Sequence, residues 1–360
     1  MKRYKIFALP SHTFVDRVSG VDYLRVIQPM KYLNGYKDDD VEFEVTVYNH
    51  AENKSFDWRD VFEKHDAVFF NYTTNDVGYA IMGYLAQRYN RKLICDVDDD
   101  LFSILADNPA YEAFKKGSWG LSVIKAVLGD VAHVTCTNSH LKHSLMHNTK
   151  AKGITVLPNY IDLENLYTHR SPFKNTGTYN ALHFGSSTHF SSFYSEGFVD
   201  AVTRVMYEYP NFTLTTIGAF VPKFRDKWGS RYIQGFGHTD LLEWIKLMPQ
   251  YLDNADFMLV PLINNVYNKS KSSCKYLEAS SFKIPGCWQN IRQYQELVKQ
   301  GENGYLCSTS DEWYKSITSL INNTELRRSM GEKAFETIQD WTIQKHVKDY
   351  ADAFKKILTD

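Results

Sequence analysis

Cysteine is scarce in this 360-residue chain. The five present, Cys95, Cys136, Cys274, Cys287 and Cys307, are odd in number and show no CxxC spacing. That argues against a disulfide framework or a zinc site and for reduced thiols in a cytoplasm-like compartment. Long apolar runs are missing too: none approaches the roughly 20 residues that cross a bilayer. The opening MKRYKIFALPSH has only five apolar residues after its basic ones, too few for a signal peptide, and reads as a first strand. Nor is there an excess of one charge. A net charge of −1 creates no global field toward nucleic acid or anionic lipid, so any such contact is local. Fixed-period repeats and low-complexity tracts are also absent.

What remains is the composition of a globular protein, 43% hydrophobic and 23% charged, long enough for two domains. Aromatic content is high at 15%, which suits packing and sugar stacking. Short apolar runs alternate with helical patterns, the signature of a parallel sheet flanked by helices. The first series of strands is expected at Tyr4 to Leu9, Val41 to Val47, Ala67 to Phe70, Lys92 to Cys95, His133 to Cys136 and Ile154 to Leu157. A polar stretch from Tyr167 to Thr178, containing Pro172 and Gly177, reads as an interdomain linker. The alternation then restarts with Ala181 to Phe184, Phe212 to Ile217 and Phe257 to Pro261, and turns helical beyond Gly304. The expected fold class is α/β, with two Rossmann-like domains, 1–166 and 179–342, facing each other across a cleft. A last helix, 343–360, is expected to pack back on the first domain. Ligands of open parallel sheets bind at the carboxyl ends of the strands, which places the site between the domains.

One tract organises the second domain. NKSKSSCKYLEASSFKIP, from Asn268 to Pro285, runs from small and basic residues into a short helix, Cys274 to Phe282. Such a helix start suits an anion: backbone N–H groups, the Ser272 and Ser273 hydroxyls and the Lys271 or Lys275 ammonium would meet a phosphate. Glu278 lies six residues beyond Ser272, roughly 9 Å along the helix axis. A diphosphate at the helix start therefore leaves a ribose near Glu278, whose carboxylate accepts from two vicinal hydroxyls. The competing reading makes Lys275 and Glu278 an exposed helix pair.

With these residues in view, the chain resembles nucleotide-sugar glycosyltransferases of the B-type fold (GT-B), in particular the retaining class called family 4. The resemblance rests on DNADFMLVPL, NKSKSSCKYLEAS and QGENGYLC within Asp253 to Gly304 and Cys307, with VLPNYID at Val156 and LHFGSSTH at Leu182. It implies that Glu278 binds the ribose and that Lys271, Ser272 and Ser273 bind the diphosphate. Gly185 and Ser186 after the second domain's first strand, and Gly20 in the first loop of the other domain, would let backbone approach the phosphates. Two features depart from the family. Its first glutamate is Ser270 here, and its Arg and Lys pair after Gly185 is replaced by Ser187, Thr188 and His189.

The cluster Asp96, Asp98, Asp99, Asp100 follows a strand. An Asp-x-Asp pair binds a divalent metal in A-type glycosyltransferases, but the class resembled here generally works without metal, so no metal and no cofactor is expected. Asp98 or Asp99 would instead reach the donor sugar or the acceptor hydroxyl, as general base in an inverting enzyme or as a charge-stabilising group in a retaining one. His12, Arg25 and His189 are candidate acceptor or sugar contacts, Arg25 through an acceptor phosphate or a pair with Asp22. His140, His143 and His147 share a helix face and read as a polar stripe. The implied activity is transfer of a sugar from a nucleoside diphosphate donor, such as a UDP-sugar, to an acceptor hydroxyl in a bacterial or phage-infected cytoplasm. The acceptor is a glycan or lipid-linked saccharide; a hydroxymethylated base in DNA, and a non-catalytic nucleotide-sugar-binding subunit, stay open as alternatives.

Overall fold

The computed structural model describes residues 1–14, 16–52, 56–186, 190–194 and 196–359. Strands β1 (Lys2–Leu9), β2 (Val41–Val47), β3 (Ala67–Asn71), β4 (Lys92–Val97), β5 (His133–Cys136) and β6 (Ile154–Val156) form one parallel sheet in the order β2-β1-β3-β4-β5-β6. Strands β7 (Tyr179–Gly185), β8 (Phe212–Gly218), β9 (Tyr232–Gly235), β10 (Phe257–Val260), β11 (Gly286–Gln289) and β12 (Tyr305–Cys307) form a second, ordered β12-β11-β10-β7-β8-β9 and again parallel. The inner strands are buried at every position and nearly all apolar because helices cover both faces: all of AVFFN in β3 and FMLV in β10 are buried. Chain order reverses beside β1 in the first sheet and beside β7 in the second. Each reversal opens a crevice at the carboxyl ends, where His12 and Gly185 follow their strands.

The first helix is built from three consecutive segments, Gly20–Asp22, Tyr23–Ile27 and Gln28–Leu33. Its middle turn is widened, with the Gln28 N–H donating to the Tyr23 carbonyl five residues back. Pro29, lacking an N–H, has no α-helical bond of its own to form here.

The chain passes between the lobes side by side with itself. Ile161 pairs in parallel with Thr342, its N–H bonding the Trp341 carbonyl at 2.9 Å while the Ile343 N–H returns to the Ile161 carbonyl at 3.0 Å. The polar stretch expected to be the linker begins after this crossing and lies along the second lobe: Tyr167 is buried in that lobe's core and the Ser171 N–H bonds the Phe282 carbonyl. A further difference concerns the basic run Lys223 to Tyr232, whose density of charge reads in the sequence as a solvated loop. It holds a short helix, Phe224–Trp228, and leads into β9, because Phe224, Trp228 and Tyr232 recur every four residues and are buried together. Its charges sit on the outer flank, Arg231 bonding the Met206 and Tyr209 carbonyls. Among the described residues no helix is long and apolar enough to cross a membrane.

The helix Ile343–Thr359 crosses back and completes the first lobe's core with Tyr350, Phe354 and Ile357. Phe354 is fully buried, edge-on to Phe69 of β3 at 5.1 Å. Phe354→Ala is therefore expected to cost about 3–5 kcal/mol in chemical denaturation of the full chain. A loss below about 1 kcal/mol, the size of a surface change, would show that this helix does not anchor the first lobe.

Candidate functional site

The helix Cys274–Ser281 starts without a side-chain cap from Ser273; the Tyr276 N–H turns back to the Ser273 carbonyl at 2.8 Å, and an anion at this end would meet the positive end of the helix. Ser272 and Ser273 line a cavity of about 250 Å³ together with Thr137, Asn138 and Asn159 of the first lobe. The Asn159 amide donates to the Ser272 hydroxyl at 3.0 Å. The serine and lysine tract thus faces across the lobe junction. Ser270, at the position of the family's first glutamate, is wholly buried: its hydroxyl turns back to the Val266 carbonyl and its own carbonyl accepts from Asn138 at 2.6 Å. It supports the loop and is closed to a sugar.

Beside Ser270, Lys271 meets the acidic cluster. Its ammonium lies 3.1 and 3.2 Å from the two carboxylate oxygens of Asp99, and the Tyr267 hydroxyl donates to the same carboxylate at 3.1 Å. Burial works against the Lys271 charge, but Asp99 and Tyr267 outweigh it and raise its pKa. Around Asp98 the pull of Arg25 and Lys271 is outweighed. Burial, then the charges of Asp99 and Asp96, push its carboxyl up to about 7. The cluster is therefore four environments rather than one. Asp96 is buried with Arg25 and Thr135, and Asp100 is buried with one oxygen accepting from the Phe102 N–H. Among the described residues no group of three or more His, Cys, Asp or Glu side chains is placed to hold a metal.

One turn further on, Lys275 and Glu278 are half-buried side by side. Burial lowers the Lys275 pKa, with repulsion from Lys271 adding to it, and burial raises that of Glu278. Their mutual attraction opposes both shifts, and the Tyr167 hydroxyl, which donates to Glu278 at 3.1 Å, opposes that of Glu278. This is not the exposed surface pair of the competing sequence reading.

The remaining candidates divide. Gly185 and Ser186 line a separate cavity of about 470 Å³ with Gly218, Gly237, His238, Thr239 and Trp244. Gly218, at φ 79, packs so closely that a Cβ would lie 2.1 Å from the Gly185 carbonyl oxygen. Gly20 stands at the lobe junction, 3.8 Å from Leu241 as measured from an added Cβ. Its neighbour Val18 bonds both the Asp240 carboxylate and the Leu241 N–H of the second lobe. His12 sits in the first crevice against the Tyr72 ring at 4.7 Å, and burial lowers its pKa. Arg25 requires correction. It is 1% exposed and pairs with Asp96, not Asp22, its other donors held by the Leu157 carbonyl and the Asn159 amide oxygen. With its donors spent on the first lobe it does not reach a substrate. Asp22 instead accepts from Asn71 and the His12 N–H. His189 lies outside the described residues.

Several site residues were not legible in sequence. Asn138, Asn159 and Tyr167 each touch the tract from a distance along the chain, and Tyr267 stands immediately before it. Only Asn159 carried a signal, as the polar centre of VLPNYID after a strand.

Residues 189–323, which contain Lys271, Lys275 and Glu278, match the family model described as Glycosyl transferases group 1. The match covers the second lobe alone, and the two parallel six-stranded sheets have the architecture of the GT-B fold. No curated protein sequence matches the chain. Among solved structures, Anabaena Alr3699/HepE in complex with UDP has a TM-score of 0.65 at 15% identity, covering 98% of this chain and 100% of that one. Sucrose-phosphate synthase from Thermosynechococcus elongatus gives 0.65 at 13% identity over 99% of each chain. TarM, known also from S. aureus crystals, gives 0.61 at 14% identity over 87% of this chain, which spans 61% of the TarM chain.

The Asp98 environment has a consequence for stability. Its folded pKa of about 7 exceeds the ordinary carboxyl value, so the native state binds this proton more tightly than the unfolded chain. The resulting stabilisation is full below about pH 4 and is lost as pH rises through 7. Asp98→Asn, which never ionises, is expected to melt higher than the native chain at pH 8, the gain shrinking as pH falls toward about 4. A melting difference that does not vary with pH would place Asp98 in contact with solvent.

Proposed function

We propose that the chain transfers a sugar from a UDP-sugar to the hydroxyl of a glycan or lipid-linked saccharide, with retention of configuration and without a divalent metal. The observation that carries this reading is the meeting of Asp99 with Lys271 across the lobe junction, 3.1 Å apart, at the uncapped start of the helix that bears Glu278. A diphosphate entering there exchanges one anionic partner of Lys271 for another. Lys275, Ser272, Ser273 and the first-turn N–H groups complete its surroundings, a preorganised positive site in a partly dry cleft. Glu278, held by Tyr167, accepts the ribose hydroxyls. The 470 Å³ cavity at Gly185 and Ser186 gives the nucleotide room beyond them. The uridine choice is supported by HepE, which has been crystallised with UDP and with UDP-glucose.

In the transfer, the bond from the anomeric carbon to the diphosphate oxygen breaks and a bond to the acceptor oxygen forms. The acceptor proton passes to the departing phosphate, so no protein nucleophile is needed. Asp98 and Asp99 approach from the first lobe, where carboxylates stabilise positive charge on the sugar and orient the incoming hydroxyl. The lysines supply the charge that a metal supplies elsewhere.

A panel of sugar nucleotides, scored by thermal stabilisation and by nucleoside diphosphate release, tests the donor; a UDP-sugar is expected to stabilise most. Glu278→Ala removes a charged acceptor worth about 1.5–3 kcal/mol, a loss of roughly 10- to 100-fold in donor affinity. Asp98→Ala and Asp99→Ala are expected to abolish transfer while UDP still binds, and a chelator to leave turnover unchanged. Full transfer by both aspartate variants would remove them from the reaction, and dependence on added Mg²⁺ would overturn the metal-free reading.

A further inference from the structure

At the amino ends of the second sheet's strands, opposite the cleft, lies a cavity of about 250 Å³ that has no part in sugar transfer. Five cationic side chains line it, Arg170, Lys174, Lys283, Arg327 and Arg328, against two carboxylates, Asp256 and Glu332. Lys283 and Glu332 neutralise each other at 2.8 Å. Arg327 is the centre of the site. It is 1% exposed, and one of its terminal nitrogens donates to the Leu320 carbonyl at 2.7 Å, while Nε and the other terminal nitrogen have no hydrogen-bond acceptor. Asp256 lies 3.5 Å from Nε, too far and too poorly aligned to serve, and its other oxygen is taken by the Asn180 N–H.

A guanidinium buried with idle donors is costly unless an acceptor reaches it. Its faces are already used, with ring centres of Tyr179 and Phe173 at 5.2 and 5.6 Å. Stacking of this kind leaves the in-plane N–H groups for an oxyanion. The backbone keeps Arg327 in place: a Cβ on Gly331 would lie 2.1 Å from the Lys283 carbonyl oxygen, so the helix Thr324–Ile338 rests directly on that turn. Lys283 itself holds φ 61, a left-handed conformation that a non-glycine residue adopts only under constraint.

We infer that this cavity binds a phosphate group, free or as the monoester of a small molecule, with Arg327 as its buried fork and Arg170, Lys174 and Arg328 at its mouth. A phosphate monoester carries about −1.5 to −2 charge at neutral pH, which suits the surplus of cations. The enclosed shape and small volume suit a compact ligand and leave no room for a polymer. The ligand would also tie the segment that follows the lobe crossing, through Arg170 and Lys174, to the back of the second lobe.

Isothermal titration of the full chain with inorganic phosphate, and separately with glycerol 3-phosphate, tests the site. One saturable site is expected for at least one probe. A tighter fit for glycerol 3-phosphate assigns an ester, and equal affinity assigns the free ion. Lys174→Gln combined with Arg328→Gln, both exposed, should weaken binding at least tenfold without disturbing the fold, and Arg327→Lys should do the same by removing the fork. Lys275→Gln, at the helix start in the cleft, should leave it unchanged. No saturable binding of either probe, or binding lost in Lys275→Gln but intact in the Lys174 and Arg328 double variant, overturns the proposal.

Discussion

The structure turns on one charge contact between lobes, Lys271 with Asp99. Asp99 follows β4 directly and Lys271 lies in the connection that follows β10, and a parallel sheet delivers the exits of its strands to the same edge. Two sheets facing edge to edge therefore bring unlike charges from distant parts of the sequence within 3.1 Å. The pair is partly shielded from water, so salt screens it less than it screens a surface pair. In the proposed function it occupies the cation that an incoming diphosphate needs, so the contact would belong to the unliganded protein.

That contact needs a rigid platform on the first lobe, and Arg25 provides it. Its guanidinium ties the end of β4 through Asp96 to the Leu157 carbonyl and Asn159 after β6, in a site with 1% exposure. Asn159 then reaches Ser272 in the second lobe. A fully paired buried charge of this sort does little for stability compared with apolar packing. Its effect is positional: the loop carrying Asp98 and Asp99 is held by groups that have no alternative partners. The widened turn at Tyr23–Ile27 lies in the helix that carries Arg25.

The same sheets have amino ends, and there the second lobe gathers its other cationic pocket. Cleft and pocket share a lobe but have opposite electrostatic designs. In the cleft the lysines face carboxylates from another lobe, whereas around Arg327 the cations outnumber the acids and two donors remain idle.

Much of the fold was legible because its signals are local. The strands at AVFF and FMLV show as short apolar runs and the restart after Gly177 as renewed strand and helix alternation, signals that any short window reveals. The helix start with Lys271, Ser272 and Ser273, and Glu278 one and a half turns on, is local in the same sense. The Phe224, Trp228 and Tyr232 spacing was present as well, but the basic residues between them disguised it as loop. What no window contains is the partner of a charge. Arg25 beside Asp22 in sequence pairs with Asp96 in space, Tyr167 from the polar stretch holds Glu278, and Asp98 becomes a weak acid only because burial and two neighbouring carboxylates surround it. Sequence alone determined which segments are strands, which are helices and which residues carry chemistry, since those depend on neighbours along the chain. Tertiary structure alone decided which charges meet and how protonated they are, since Coulomb interaction and desolvation depend on distance in space and on what excludes the water.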